Sequence, residues 1–148
     1  MEVYTSGVMR GSIARIIALG TLAALAVGCG PSFDFQGRWA GERKLSAPPG
    51  VDPSVVRAVA KVELVIRGGR FELLEAGTTK SGTARFADGK AFLRVDTYLG
   101  RPIESLGRAA VQMNKEIELI PQGKDRLLFR DPGGFDREPV LLVRTSQP

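Results

Sequence analysis

Side chains capable of chemistry are few in this sequence, and their spacing narrows what they could do. Three carboxylates, Asp131, Asp136 and Glu138, cluster in the stretch DPGGFDRE. Such a group could hold Ca²⁺ or supply an acid and a base. The interspersed Arg130 and Arg137 oppose a cation, however, and hard cations need several oxygens. The stretch reads more simply as a turn shaped by its aspartate and prolines, with Arg137 neutralising its neighbours. Ser54-Val55-Val56-Arg57 approaches a Ser-x-x-Lys nucleophile pair, but arginine stays protonated and cannot act as base. Lys80 and Ser81 are adjacent, so on a strand they would face opposite sides; the pair reads as a turn. There is no histidine. That removes the usual general base, the Ser–His and Cys–His pairs and the commonest metal ligand. No G-x-S-x-G, phosphate loop or G-x-G-x-x-G follows the N-terminal region. No catalytic residue, metal ligand or cofactor is therefore assigned, and the expectation is a protein that is not an enzyme.

One nucleophile remains, Cys29, the single cysteine among 148 residues. It follows IIALGTLAALAV (16–27), twelve residues without a charge. As a helix this run spans about 18 Å, well short of the roughly 30 Å hydrocarbon core of a bilayer. Arg10 and Arg15 precede it, and the small residues Ala26 and Gly28 stand at its end. A basic start, a short apolar run and small residues at its end make residues 1–28 a secretory signal peptide. Met9 is a natural start, because it sets Arg10 beside the initiator. A structural free thiol would sit among strand or helix residues, whereas Cys29 runs into Gly30-Pro31-Ser32.

The stretch Leu25-Ala26-Val27-Gly28-Cys29 resembles the lipobox of bacterial lipoproteins, with apolar or small residues leading to Gly-Cys. Ala26 stands where leucine is more typical. The resemblance implies cleavage between Gly28 and Cys29, acylation of Cys29, and a short tether over 29–33. The protein would then be lipid-anchored at the cell envelope, with the membrane as its partner through the acyl chains on Cys29. Each buried CH₂ contributes about 0.8 kcal/mol, so two or more chains anchor where one does not. Gly30 in place of an aspartate implies, by the same resemblance, the outer membrane of an organism that has one.

Downstream, the chain has the composition of a globular domain, with 43% hydrophobic and 25% charged residues overall. Net charge is +5, and 19 basic against 15 acidic side chains follow Cys29. They alternate without forming a block, as on a solvated surface. Without stacking aromatics between the basic residues, no nucleic-acid partner is expected.

Turn dipeptides divide residues 34–148 into short runs. Gly68-Gly69 separates KVELVIR (61–67) from RFELLEA (70–76), and Asp88-Gly89 separates TARFA (83–87) from KAFLRVDTYL (90–99). These are preferred hairpin dipeptides because both central residues adopt positive φ. Gln122-Gly123-Lys124 divides EIELI (116–120) from RLLFR (126–130), and DPGG precedes PVLLVRT (139–145). Alternation such as Val62, Leu64, Ile66 against Lys61, Glu63 marks strands with one buried face. With FQGRWAGERKL (35–45), seven or eight strands form an all-β, antiparallel up-and-down meander, most simply closed into a small barrel. Asp52 and Pro53 cap a short helix through Ala60. For 102–114 a helix and a strand both fit, and extended structure is preferred in an otherwise β domain.

Gly37-Arg38-Trp39 resembles the G-x-W that opens the first strand of lipocalins and their calycin relatives. In that group the tryptophan closes one barrel end beneath a basic residue from the last strand, and Arg144 matches that position. The resemblance implies an apolar small molecule or lipid inside the barrel. Residues to line such a cavity, or to pack an empty core, are Val62, Leu64, Ile66, Phe71, Leu73, Phe86, Leu93, Val95, Leu119 and Phe129. Gly82, Ala84 and Ala91 would leave room for a ligand. The chain is shorter than typical lipocalins and lacks their disulfide, and a narrow barrel can be filled by its own side chains. The competing reading is a structural or protein-interaction lipoprotein, an assembly accessory or inhibitor with a filled core.

Overall fold

The computed structural model describes residues 32–108, 110, 115–134 and 137–145. The signal-like run, Cys29 and Asp136 lie outside these residues. The strands are β1 (Gly37–Glu42), β2 (Lys61–Arg67), β3 (Arg70–Glu75), β4 (Thr78–Ala87), β5 (Lys90–Tyr98), β6 (Arg101–Pro102), β7 (Ile117–Pro121), β8 (Arg126–Arg130) and β9 (Val140–Thr145). Eight of them pair antiparallel in the closed circuit β1-β2-β3-β4-β5-β7-β8-β9, with β9 returning to β1. The two-residue β6 is an addition on β5. This is the barrel that the succession of hairpins predicts.

Local chemistry accounts for the hairpins. Gly68 and Gly69 have φ of 54° and 77°, and Asp88 and Gly89 have 53° and 71°. Both turns thus carry two residues of positive φ, whose twist matches that of the flanking strands. In register, Leu64 lies between Trp39 and Leu73, so three strands bring an inward side chain to one level. Phe35, Trp39 and side chains of β2, β3, β5, β7, β8 and β9 merge into one apolar cluster. Trp39, Phe71, Phe129, Leu64 and Leu119 are among its largest fully buried members.

Antiparallel pairing gives the barrel two unlike ends. The tryptophan end carries Phe33–Gln36 and the short turns after β2, β4 and β7. The loop end carries the connections 43–60, 99–116 and 131–139. Helix α1 (Pro53–Ala60) lies in the first of these, capped by Asp52, whose side chain accepts from the Ser54 amide at 2.7 Å. Two expectations need correction. Beyond Pro102 the chain is not extended: Ile103–Leu106 form a 3₁₀ turn that puts Ile103 in the core. Apolar side chains spaced three or four apart reach one core from a helical turn, and here that spacing outweighed the β context. The first strand also covers only 37–42 of the residues 35–45 assigned to it.

Candidate functional site

The G-x-W segment and the last strand meet at the tryptophan end. Trp39 pairs with Arg144 across β1 and β9. The Arg144 guanidinium lies 4.2 Å above the Trp39 ring, a cation–π contact worth about 0.5–2 kcal/mol. Its Nη1 and Nη2 each donate at 2.6 Å, to the carbonyls of Gln36 and Asp34, and Nε faces Asp125 at 3.3 Å. The indole Nε1 donates to the Phe35 carbonyl at 3.0 Å. The segment before β1 is thereby bound across the barrel end. Gly37, with φ of 115°, is glycine for two reasons, since a Cβ there would also lie 3.2 Å from Arg144 Nη1. Nearby, Phe35 stacks on Phe86 at 5.4 Å and packs edge-on to Phe33 at 4.8 Å. These rings border an open cleft of about 510 Å³ where residues 32–36 join the barrel.

All ten residues named as cavity or core, apart from Phe86, are at most 4% exposed. Phe86 is 44% exposed and is a correction. It has the inward phase of Lys80, Gly82 and Ala84, but it is the last such position on β4, and its ring leaves the barrel to stack on Phe35. Gly82 does not leave room for a ligand either. Its missing Cβ would stand 2.9 Å from Phe71 Cε1 and would strike the Arg94 carbonyl, so the space belongs to Phe71 and β5. Of the ten residues only Phe71 and Phe86 border a described cleft, and no such cleft is lined by Val62, Leu64, Ile66, Leu73, Leu93, Val95, Leu119 or Phe129.

At the loop end the interior changes character. Arg43, Glu75, Lys80 and Asp131 are all buried there. Arg43 pairs with Glu75 Oε1 through Nη2, and Lys80 Nζ donates to Glu75 Oε2 at 2.8 Å and to Asp131 Oδ2 at 2.6 Å. Asp131 Oδ1 accepts from the Gly133 amide at 2.9 Å, and Arg43 Nη1 donates to the Glu138 carbonyl at 3.3 Å. Two cations alternate with two anions, so the formal charge cancels. Such groups survive burial only when paired and hydrogen-bonded, as these are. The cluster floors a second cleft of about 310 Å³ lined by Thr78, Tyr98 and Gly134 as well as Glu75 and Lys80. Its chemistry is charge pairing and hydrogen bonding, with each carboxylate turned to a cation.

No protein-family model matches this chain, and neither a curated protein nor a solved structure does.

Sequence reasoning assigned none of the four charged residues to the interior, although a signal was present. The inward phase runs Trp39, Gly41, Arg43 on and after β1, and Phe71, Leu73, Glu75 on β3. It runs Lys80, Gly82, Ala84 on β4, and Leu127, Phe129, Asp131 on and after β8. Extending each alternation by one step reaches the charge. Lys80 is in a strand and not in a turn, as its adjacency to Ser81 had implied. Of the suspected carboxylate group, Asp131 faces Lys80, while Glu138 meets Arg43 through its backbone carbonyl. Among the described residues no three His, Cys, Asp or Glu side chains are grouped to hold a metal ion.

Proposed function

We propose that this chain is a lipoprotein of the cell envelope, held to the membrane by acyl chains on Cys29, whose barrel is a non-catalytic protein-interaction module. The observation that carries the second half is the filled lumen. Buried side chains from across the barrel form one cluster, and Arg43, Glu75, Lys80 and Asp131 stopper its loop end. An apolar ligand inside would have to displace packed residues or pass four buried charged groups, so the exterior and the loops are the surfaces left for partners. The exposed apolar side chains Leu141 and Val143 on β9, and Val51 and Val55 beside and within α1, suit such contacts. The anchoring half is supported by the Leu25–Cys29 pattern.

Two measurements test the halves separately. Cys29→Ala should release the protein from membranes in fractionation, and retention of the uncleaved chain there would remove the anchoring reading. The domain from Gly30 onward, purified without refolding, should give a clean apo mass by native mass spectrometry and no thermal shift with fatty acids. A stoichiometric co-purified lipid would replace the interaction reading with that of an apolar-ligand carrier.

A further inference from the structure

Resting on the proposed anchoring at Cys29, we infer that the barrel seats end-on upon the bilayer, tryptophan end down, with Phe33 and Phe86 at the headgroup–acyl boundary. The covalent chain sets the first constraint. Only Gly30, Pro31 and Ser32 separate Cys29 from Phe33. Four Cα–Cα steps of extended chain reach about 14 Å at most. The headgroup layer on each side of a bilayer is about 5–8 Å thick. Phe33 is therefore held within or just above that layer. The ten residues of β4 run about 34 Å along the strand, or about 25 Å along the axis of a tilted barrel. The loop end can thus stand clear of the lipid while the tryptophan end cannot.

The second constraint is what this end displays. Phe86 is 44% exposed and stacks on Phe35, which packs against Phe33 around the open cleft of about 510 Å³. In a detached domain Phe86 and the half-buried Phe33 face water, with buried Phe35 as the ring between them. In the anchored protein they face the one apolar phase that the tether brings within reach, and aromatic side chains at such a boundary strengthen membrane binding. Charge is compatible: Arg67 and Lys124 stand around the same rim against Asp88, Lys90 pairs with Glu118 at 2.7 Å, and Asp34 and Asp125 both lie beside Arg144. End-on seating also turns the loop end, with Val51 and Val55 beside and within α1, away from the membrane.

The test uses the full, acylated chain in vesicles containing lipids brominated on their acyl chains. Acylation consumes the Cys29 thiol, so a fluorophore can be placed on Ala87→Cys beside Phe86, or on Arg57→Cys in α1. Buried Trp39 reports in both variants that the barrel is folded. The expected result is strong loss of fluorescence at position 87 and none at position 57, with the loss at 87 reduced by adding Phe86→Ser. Vesicle-bound protein showing equal quenching at both positions would overturn the seating while leaving the anchor intact. Protein that stays out of the vesicle fraction, and whose Cys29 takes up the maleimide label, would show instead that the anchor is wrong and would remove the seating with it.

Discussion

Lys80 Nζ lies 2.6 Å from Asp131 Oδ2, although β4, which carries Lys80, and β8, which ends one residue before Asp131, are not neighbours. Along the barrel wall, β5 and β7 stand between β4 and β8, so the ion pair crosses the lumen. Arg43 and Glu75 likewise reach past the intervening β2. Four strands are thereby joined at the loop end by contacts independent of the sheet's hydrogen bonds. Pairing of this kind contributes little net stability compared with apolar groups of equal volume, yet it punishes removal of any one member.

Lys80→Met should accordingly destabilise the domain by about 3–5 kcal/mol, because Glu75 and Asp131 would keep buried charge without their shared cation. Replacing all four groups together by apolar residues of similar volume should restore most of that loss. Urea unfolding of both variants checks the contrast. Equal loss in the two would mean that the cluster stabilises by attraction and not by mutual compensation.

Arg144→Ala removes the cation above Trp39 together with two hydrogen bonds to the chain before β1. The expected cost is about 2–4 kcal/mol, less than the sum of a cation–π contact and two charge-assisted bonds because the Arg144 side chain is 27% exposed. Amide exchange should quicken first at the Trp39 end, and the emission of Trp39 should shift to the red. Arg144→Lys should recover only part, since an ammonium lacks the planar fork that reaches both carbonyls.

Gly82→Ala places a methyl group against Phe71 Cε1 and the Arg94 carbonyl. Overpacking of this kind costs about 1–3 kcal/mol. Phe71→Leu in the same chain should relieve the contact with the ring but not that with the Arg94 backbone, so rescue in thermal unfolding should be partial. Ala84→Gly, one inward position further along β4, should show no dependence on Phe71→Leu beyond additivity.

The pH response of α1 follows from its cap. Hydrogen bonds from Ser54 hold the Asp52 carboxyl below its ordinary value of 3.8. A folded-state pKa below the unfolded one means that the cap's contribution is complete above pH 3.8 and is lost as pH falls through the folded pKa. The amides of Val55 and Val56, which donate to the Asp52 carbonyl, should lose protection over that acidic interval. In Asp52→Asn, whose side chain still accepts a hydrogen bond without titrating, the protection should be independent of pH there.

Much of the barrel was legible because hairpin chemistry is local. Gly68-Gly69 and Asp88-Gly89 need no distant partner to form, and alternation along Lys61–Arg67 names its buried face before the partner strands are known. The helix at Pro53–Ala60 was legible for the same reason, its Asp52 cap lying next to it in sequence. The 3₁₀ turn at Ile103–Leu106 was less so, because helical and extended chains of that composition bury similar apolar area and only the surrounding core selects between them. Phe86 has the inward phase but not the burial, since phase says nothing about where the barrel rim falls.

Local order, then, lay in the sequence alone: where strands begin and turn, which face of each is apolar, and that the chain contains no histidine. Those properties depend on neighbours a few residues apart and on composition. Tertiary structure decided what fills the lumen. Whether Arg43, Glu75, Lys80 and Asp131 are exposed rim charges or one buried, neutral cluster depends on β1, β3, β4 and β8 converging at one end. Barrel closure produces that convergence by bringing together residues as far apart in sequence as Arg43 and Asp131, whose separation no periodicity encodes.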